Sequence, residues 1–372
     1  MKIKKYIILA FLPFFMLSGC SGVKQIHERL IIQGIGIDKN ESEYILTVQA
    51  FDTKSDSFEG EDNVNSEVIS SSGKSISEAF SNISKQNGQE PLYSQNLVLV
   101  VGRDTAKVGI ENIIDFFVRY YEFRPMMNVF ISDEPAYKIL SSKEDDKLVT
   151  AQNIADLSRN EDLSSSTVNS TLLDCVSSLK SDIDDFGATF LGNKNGSLAS
   201  NGMAVFNGGK FSGTLNEDES RGFLLLSKKV KNLEKDIYIN GIGNVTYNVV
   251  SSRSKIEADV IDGIPKFNIN VYTKVGISEV GKISKNNLST EDFENINNEI
   301  KQDIYYMVDN SIKKALIEYN SDIFRFSKLL KRDQTKYFRT IESRPKEALK
   351  KAEYNINVDS EIKKIGQESD LF

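Results

Sequence analysis

The sequence predicts an α+β protein of more than one domain, with mixed or antiparallel sheets, helices packed on one face, and one long amphipathic helix in the C-terminal domain. Three observations carry this expectation. Strand and helix patterns alternate from Leu30 to about Leu140. Short strand patterns then crowd between Met203 and Ile277, and from Phe293 to Tyr319 apolar residues recur every three or four positions. With 372 residues, 40% of them hydrophobic and 27% charged, the chain has ordinary globular composition and length for two or three domains.

The N-terminus comes first. Lys2, Lys4 and Lys5 precede an apolar run from Tyr6 to Met16, and small residues follow, which are the three zones of an export signal. The run is shorter than the roughly 20 apolar residues a bilayer span needs. Leu17-Ser18-Gly19-Cys20 resembles the lipobox of bacterial lipoproteins, in which the cysteine thiol carries diacylglycerol and becomes the mature N-terminus. Residues 1–19 are then a signal peptide and 20–29 a lipid-anchored tether. Each buried methylene contributes about 0.8 kcal/mol, so two or three acyl chains hold a protein on a membrane where one holds it only weakly.

Removal of Lys2, Lys4 and Lys5 with the signal takes the formal charge from −7 to −10, which gives nucleic acid no electrostatic reason to bind. With Cys20 lipidated, Cys175 has no disulfide partner. It falls in the helical pattern Val168, Leu172, Cys175, Val176 and Leu179, as a small core residue would.

Segments 30–37 and 44–51 read as a β-hairpin around Lys39-Asn40-Glu41-Ser42. An acidic, aperiodic loop follows from 52. Ser75 and Glu78 form a capping box ahead of Ile76, Ala79, Phe80 and Ile83. The continuous apolar run 96–102 reads as a buried strand, Ile110, Ile113, Ile114 and Phe117 as a helix, and 126–131 as a second strand. Pro135 starts the helix of Tyr137, Ile139 and Leu140.

A Gly- and Asn-rich stretch at 191–202 marks the domain boundary, giving an N-terminal domain over 30–195 and a C-terminal one over 198–366. Strands are expected at 203–206, 210–215, 222–226 and 245–250. The pair 255–261 and 266–277 flanks the hairpin signal Asp262-Gly263. Thr290 caps the long helix, 323–338 reads as a further helix, Pro345 begins another, and 354–359 alternates as a closing strand.

Several segments together resemble the Ger(x)C family, the lipoprotein subunits of spore germinant receptors. They are IIQGIGIDK at 31–39, GKSISEAFSNIS at 73–84, YSQNLVLVVGRDTAKVGIENIIDFFVR at 93–119, MAVFNGGKFSGTLNEDESRGFLLL at 203–226, DIFRFSKLLKR at 322–332 and YNINVDSEIKKIG at 354–366. Ser21 and Gly22 depart from the Trp-Asp that often follows the family's cysteine, and the chain has no tryptophan. The resemblance implies a non-enzymatic subunit at the spore inner membrane. It implies as partners membrane lipid through Cys20 and two integral membrane receptor subunits, one resembling an amino-acid transporter, with no cofactor and no nucleic acid. A rival is the solute-binding lipoprotein of an importer, which would show two similar lobes around a cleft. A membrane-anchored hydrolase using carboxylates is a weaker one.

Catalytic signals are sparse. His27 is the single histidine and sits in the tether, so a Ser-His-Asp triad or an H-E-x-x-H zinc motif has nothing to draw on. Gly34-Ile35-Gly36 lacks the third glycine of a dinucleotide loop, with Lys39 in its place, and reads as close packing or a bulge, as does Gly241-Ile242-Gly243. Asp145-Asp146 and Asp184-Asp185 read as solvated turn charges, and 182–185 lacks the glycine and distal glutamate of an EF-hand, so no metal site is expected.

Two places are candidate contacts. Glu217, Glu219, Arg221 and Gly222 match the family's E-x-R-G segment, read as a structural turn with an Arg–carboxylate pair in preference to a partner contact. The segment 325–351 carries ten basic residues against Asp333, Glu342 and Glu347, a balance of +7. Lys328, Lys331 and Arg332 within it are candidates for contact with anionic lipid or an acidic partner loop, against the plainer reading of a solvated face.

Overall fold

The computed structural model describes residues 29–51, 66–120, 122–144, 147–159, 167–181, 183, 185–194, 196–227, 230, 232–281 and 288–365. Cys20 and His27, most of the acidic loop after Phe51, Asp145, Asp146 and Asp184 lie outside the described residues.

The N-terminal half is built on strands β1 (Arg29–Lys39), β2 (Tyr44–Phe51), β3 (Ser66–Gly73), β4 (Glu90–Leu92), β5 (Val98–Gly102) and β6 (Asn128–Ser132). Helix α1 (Ile76–Asn87) precedes β4, while α2 (Arg103–Val108) and α3 (Glu111–Arg119) return the chain from β5 to β6. Then come α4 (Ala136–Leu140), the two-residue strands β7 (Lys143–Glu144) and β8 (Lys147–Leu148), α5 (Ala151–Arg159) and α6 (Leu172–Leu179). Strands β9 (Gly187–Lys194), β10 (Ser197–Asn207) and β11 (Lys210–Leu215) complete a nine-stranded mixed sheet of order β11-β10-β9-β6-β5-β1-β2-β3, with β4 beside β1.

Local chemistry sets these elements. Asn40 Oδ1 accepts from the backbone N–H groups of Ser42 and Glu43 at 3.0 and 2.7 Å, closing the β1–β2 turn. Ser75 Oγ accepts from Glu78 N at 3.1 Å to start α1, and Gly88, at φ 71°, ends it. Because side chains alternate across a strand, β5 sends Leu99 and Val101 to one apolar cluster and Val98 and Val100 to another. The first cluster is covered by α1, α3 and α6, the second by α4 and α5. This sheet therefore carries helices on both faces, whereas helices on one face were expected; the unbroken apolar run of β5 is the mark of a strand buried twice.

The glycines of β1 serve the second face. A bulge falls between Ile32 and Gly34, and a Cβ on Gly36 would lie 2.9 Å from a Leu140 methyl and 3.1 Å from the Ala136 methyl. Close packing and a bulge are thus both present. Gly241 and Gly243, by contrast, take positive φ, 83° and 101°, in and just after the turn at 240–242.

The C-terminal half adds α7 (Glu217–Ser227), strands β12 (Leu233–Ile239), β13 (Gly243–Ile261) and β14 (Ile264–Val280), and helix α8 (Thr290–Ile312). A π turn over Lys313–Glu318 leads to α9 (Phe326–Asp333), α10 (Thr335–Ile341), α11 (Pro345–Lys350) and β15 (Glu353–Ile365). The sheet order is β12-β13-β14-β15, antiparallel except that β15 runs parallel to β14. Phe267, Ile269 and Val271 alternate inward on β14, and helices cover that face.

Residues 222–226, expected as a strand, are helical within α7. Asn216 Oδ1 accepts from Glu219 N at 2.9 Å and Glu219 Oε2 accepts from Asn216 N at 2.8 Å, a capping box that commits the apolar run to a helix buried all round. The cap of α8 is Ser289, one residue before Thr290, again in a reciprocal box with Asp292. Residues 191–202, read as the boundary, lie in the β9–β10 hairpin. Strand β10 serves both halves: Ala204 and Phe206 point into the N-terminal core, Met203 and Val205 into the C-terminal one.

Helix α8 buries Ile296, Ile300, Ile304, Met307 and Val308, while the Lys301 side chain, 32% exposed, reaches Asp359 at 3.6 Å. Ile304→Ala is expected to destabilise the protein by about 2–5 kcal/mol and Lys301→Ala by well under ~1 kcal/mol, read in urea titrations. Equal losses would contradict this helical phase.

Candidate functional site

The segment singled out around Arg221 is the first turn of α7. Arg221 reaches Glu217 at 2.8 Å and Asp218 at 3.2 Å. Asp218 also meets Lys235 Nζ at 2.9 Å, which reaches Asp303 of α8 at 2.8 Å, and Tyr247 OH donates to Asp303 at 2.7 Å. Burial, followed by the nearby Asp303, pushes the Tyr247 phenol well above its ordinary range, so it remains a donor. Glu219 completes the helix cap and lies 3.4 Å from Lys314. Gly222 is required by contact, since a Cβ there would lie 2.0 Å from the Met307 carbonyl oxygen of α8. Every member of the E-x-R-G segment is therefore engaged within the fold, through an Arg–carboxylate pair set on a helix and not in a turn.

A second cluster joins the halves. The π turn shifts the helical phase, so that Tyr319 OH donates to Thr214 O at 3.1 Å and Ser321 Oγ to Phe206 O at 2.6 Å. Asp322 follows, with no exposed surface. Its Oδ1 accepts from Phe326 N at 2.8 Å and its Oδ2 from Ser327 N at 2.7 Å, satisfying the start of α9. Its own N–H donates to Asp185 Oδ2 at 2.7 Å. Asp185 is also buried, accepts from Gly208 N at 3.0 Å, and pairs with Lys346 Nζ at 2.6 Å. Lys346 donates further to Asn207 Oδ1 at 2.7 Å.

Asp185 is thus a buried anchor and not the solvated turn charge expected from the sequence, and Lys346 of the basic segment is its counter-ion. Beside the joint lies a cleft of about 450 Å³, lined by Ser170, Asp174 and Phe186 from one half and Phe223, Phe324 and Arg325 from the other.

The candidates on the basic segment have partners of their own. Arg332 is held by Asp333 at 2.5 and 2.9 Å. Lys331 lies 3.8 Å from Glu342 and 5.6 Å from the Phe338 ring centroid. Lys328 is exposed on α9. Further exposed charge on this face lies on Lys336, Arg339, Lys350 and Lys351.

Cys175 is fully buried on α6, and burial pushes its thiol far above the usual range. Among the described residues no group of three or more His, Cys, Asp or Glu side chains is placed to hold a metal ion, and no helix is long and apolar enough to cross a membrane. Two residues with positioning roles were not singled out from the sequence. Asp38 accepts from the N–H groups of Ala136 and Tyr137 at 2.8 and 3.1 Å, and Gln49 donates to Leu140 O and Val149 O at 3.0 and 2.9 Å. Both hold α4 and α5 on the second face of the sheet. A polar residue inside an otherwise apolar strand was the available signal.

Two family models match successive parts of the chain. A family model described as "Spore germination protein N-terminal domain" matches residues 22–190, and one described as "Spore germination B3/ GerAC like, C-terminal" matches residues 201–366. Spore germination protein A3 of Bacillus subtilis (strain 168) is 27% identical over 75% of this chain and 74% of its own length. Spore germination protein B3 of the same strain is 21% identical over 95% and 96%. The crystal structure of the GerBC protein shares the fold, with a TM-score of 0.57 at 18% identity over 92% of this chain and 99% of that one. The chain belongs to the Ger(x)C family of spore germination proteins.

Burial raises the Asp322 carboxyl from its ordinary 3.8 to about 6, against the lowering effect of its hydrogen bonds from Ser327 and Phe326. A carboxyl whose folded pKa is raised binds its proton more tightly in the folded state. Its contribution is most favourable below about pH 4 and is lost as pH rises to about 6, a change of about 3 kcal/mol. The stability of the wild type relative to Asp322→Asn is therefore expected to fall by about that amount between pH 4 and pH 7, read in urea titrations. A difference independent of pH would contradict it.

Proposed function

We propose that this chain is a non-enzymatic, lipid-anchored subunit of a nutrient germinant receptor, held at the spore inner membrane through Cys20 and acting by assembly or signalling with integral membrane subunits. The observation that carries the reading is the match of both germination-protein family models, in order, over nearly the whole chain that follows the cysteine. Confinement to a surface raises effective concentration near membrane partners without any new contact.

The architecture supports this over a solute-binding lipoprotein. Two similar lobes would be expected of the latter, whereas here a nine-stranded mixed sheet with helices on both faces adjoins a four-stranded sheet with one long helix. The clusters at Arg221 and Asp322 are occupied in holding elements together, which supports a scaffold over a catalyst. The exposed basic face of 325–351, with Lys328 at its start, is proposed as a contact for an acidic loop of a membrane partner.

Cys20→Ala is expected to leave an unprocessed precursor or a chain that washes from membranes, and to remove the integral membrane subunits that co-purify with the wild type. Normal maturation and retention would overturn the anchor. A large thermal stabilisation of the full chain by one small solute would instead favour the solute binder.

A further inference from the structure

The described surface includes an apolar tip. Met126 is 64% exposed, Leu173 51%, Val118 46% and Tyr120 41%. Val118 lies in the last turn of α3, Tyr120 and Met126 in the loop from α3 to β6, and Leu173 in the first turn of α6. The backbone brings them together: Leu173 N donates to Pro125 O at 3.1 Å and Leu172 N to Met127 O at 3.0 Å. The tip is held stiffly, since Tyr120 lies 5.7 Å from the Phe116 ring and 5.5 Å from the Phe123 ring, and Phe123 packs against Phe117 at 4.6 Å.

Its place in the fold is fixed by the sheet. Leu97 N donates to Gln33 O at 2.8 Å and Asn128 N to Leu97 O at 2.9 Å, so β1, β5 and β6 run parallel from one row. The residues that precede that row, among them Tyr120, 122–127 and the start of β1 at Arg29, therefore lie at one end of the sheet. That is the end at which the chain arrives from Cys20. The nine residues from Cys20 to Arg29 reach at most about 32 Å when fully extended, so a bilayer holding Cys20 lies within that distance of Arg29.

We infer that the tip of Val118, Tyr120, Met126 and Leu173 rests in the interface of the bilayer to which Cys20 anchors the chain, an inference that rests on the anchoring reading above. The chemistry suits that occupant. An apolar knob sits with a tyrosine, a residue type enriched at the headgroup level, and is flanked by the exposed Arg119 and Arg124. Arg119 also pairs with Asp115 at 2.7 Å, and Arg124 is exposed two residues before Met126. Two attachments then act together, the lipid setting the distance and the tip setting the orientation.

The test uses the full mature chain, purified with its lipid and reconstituted into phosphatidylglycerol-containing vesicles. Single labels are placed through Met126→Cys, Leu173→Cys or Tyr238→Cys, the last an exposed control on β12 in the C-terminal half, while buried Cys175 stays unlabelled. Lipids brominated on their acyl chains are expected to quench the labels at 126 and 173 several-fold more than the label at 238. In a Met126→Glu background the quenching at 173 is expected to fall while the protein stays on the vesicles. Equal quenching at all three positions, with Cys20 shown by mass spectrometry to carry diacylglycerol, would overturn the docking surface alone. Shielding that rises with protein density and not with lipid would overturn it in favour of a second copy. An unmodified Cys20 would overturn the anchoring reading, and the docking surface with it.

Discussion

Two aspartates removed from water, Asp185 and Asp322, hold the halves of this protein in register. A buried carboxylate is costly unless its oxygens are filled with donors, and here the donors come from several distant stretches. Asp322 takes the first amides of α9, and Asp185 takes the amide of Gly208, the amide of Asp322 and the ammonium of Lys346. Displacing any one of these stretches would leave a charge in a dry site, so the cluster resists relative motion more than an apolar contact of the same area would. The shared wall of β10, with alternate residues in two cores, ties the same halves together as well.

Much of this plan is legible in the sequence because its parts are periodic. The 3.6-residue spacing of Ile296, Ile300 and Ile304, the alternation of Phe267, Ile269 and Val271, and the Ser75 cap translate directly into elements. What is not legible depends on contacts across the fold. The run 222–226 has no period of its own, and only the Asn216–Glu219 cap distinguishes helix from strand. Asp185 has the local context of a surface turn and becomes buried because residues more than a hundred positions away, Asp322 and Lys346, close over it. The arginines and lysines of 325–351 read as one basic face, although Lys346 is turned inward and Arg332 and Lys331 are neutralised by neighbours.

The candidate site divides in the same way. The lipobox-like run ending at Cys20 is a local motif and is readable as such, whereas the apolar tip of Val118, Tyr120, Met126 and Leu173 is assembled by the α3–β6 loop meeting α6 and has no contiguous signal. Among the described residues, the charged clusters at Arg221 and Asp322 are committed to internal partners, the described cysteine is buried, and the exposed features include an apolar tip at one end of the sheet and basic residues on short C-terminal helices. A rigid body with distinct faces suits the assembly role proposed above.

That account stands on the two halves behaving as one body. Calorimetry of the full mature chain in detergent tests it most directly. A single transition with equal calorimetric and van't Hoff enthalpies is the expected result. Two separated transitions, each with the enthalpy of one half, would contradict the account.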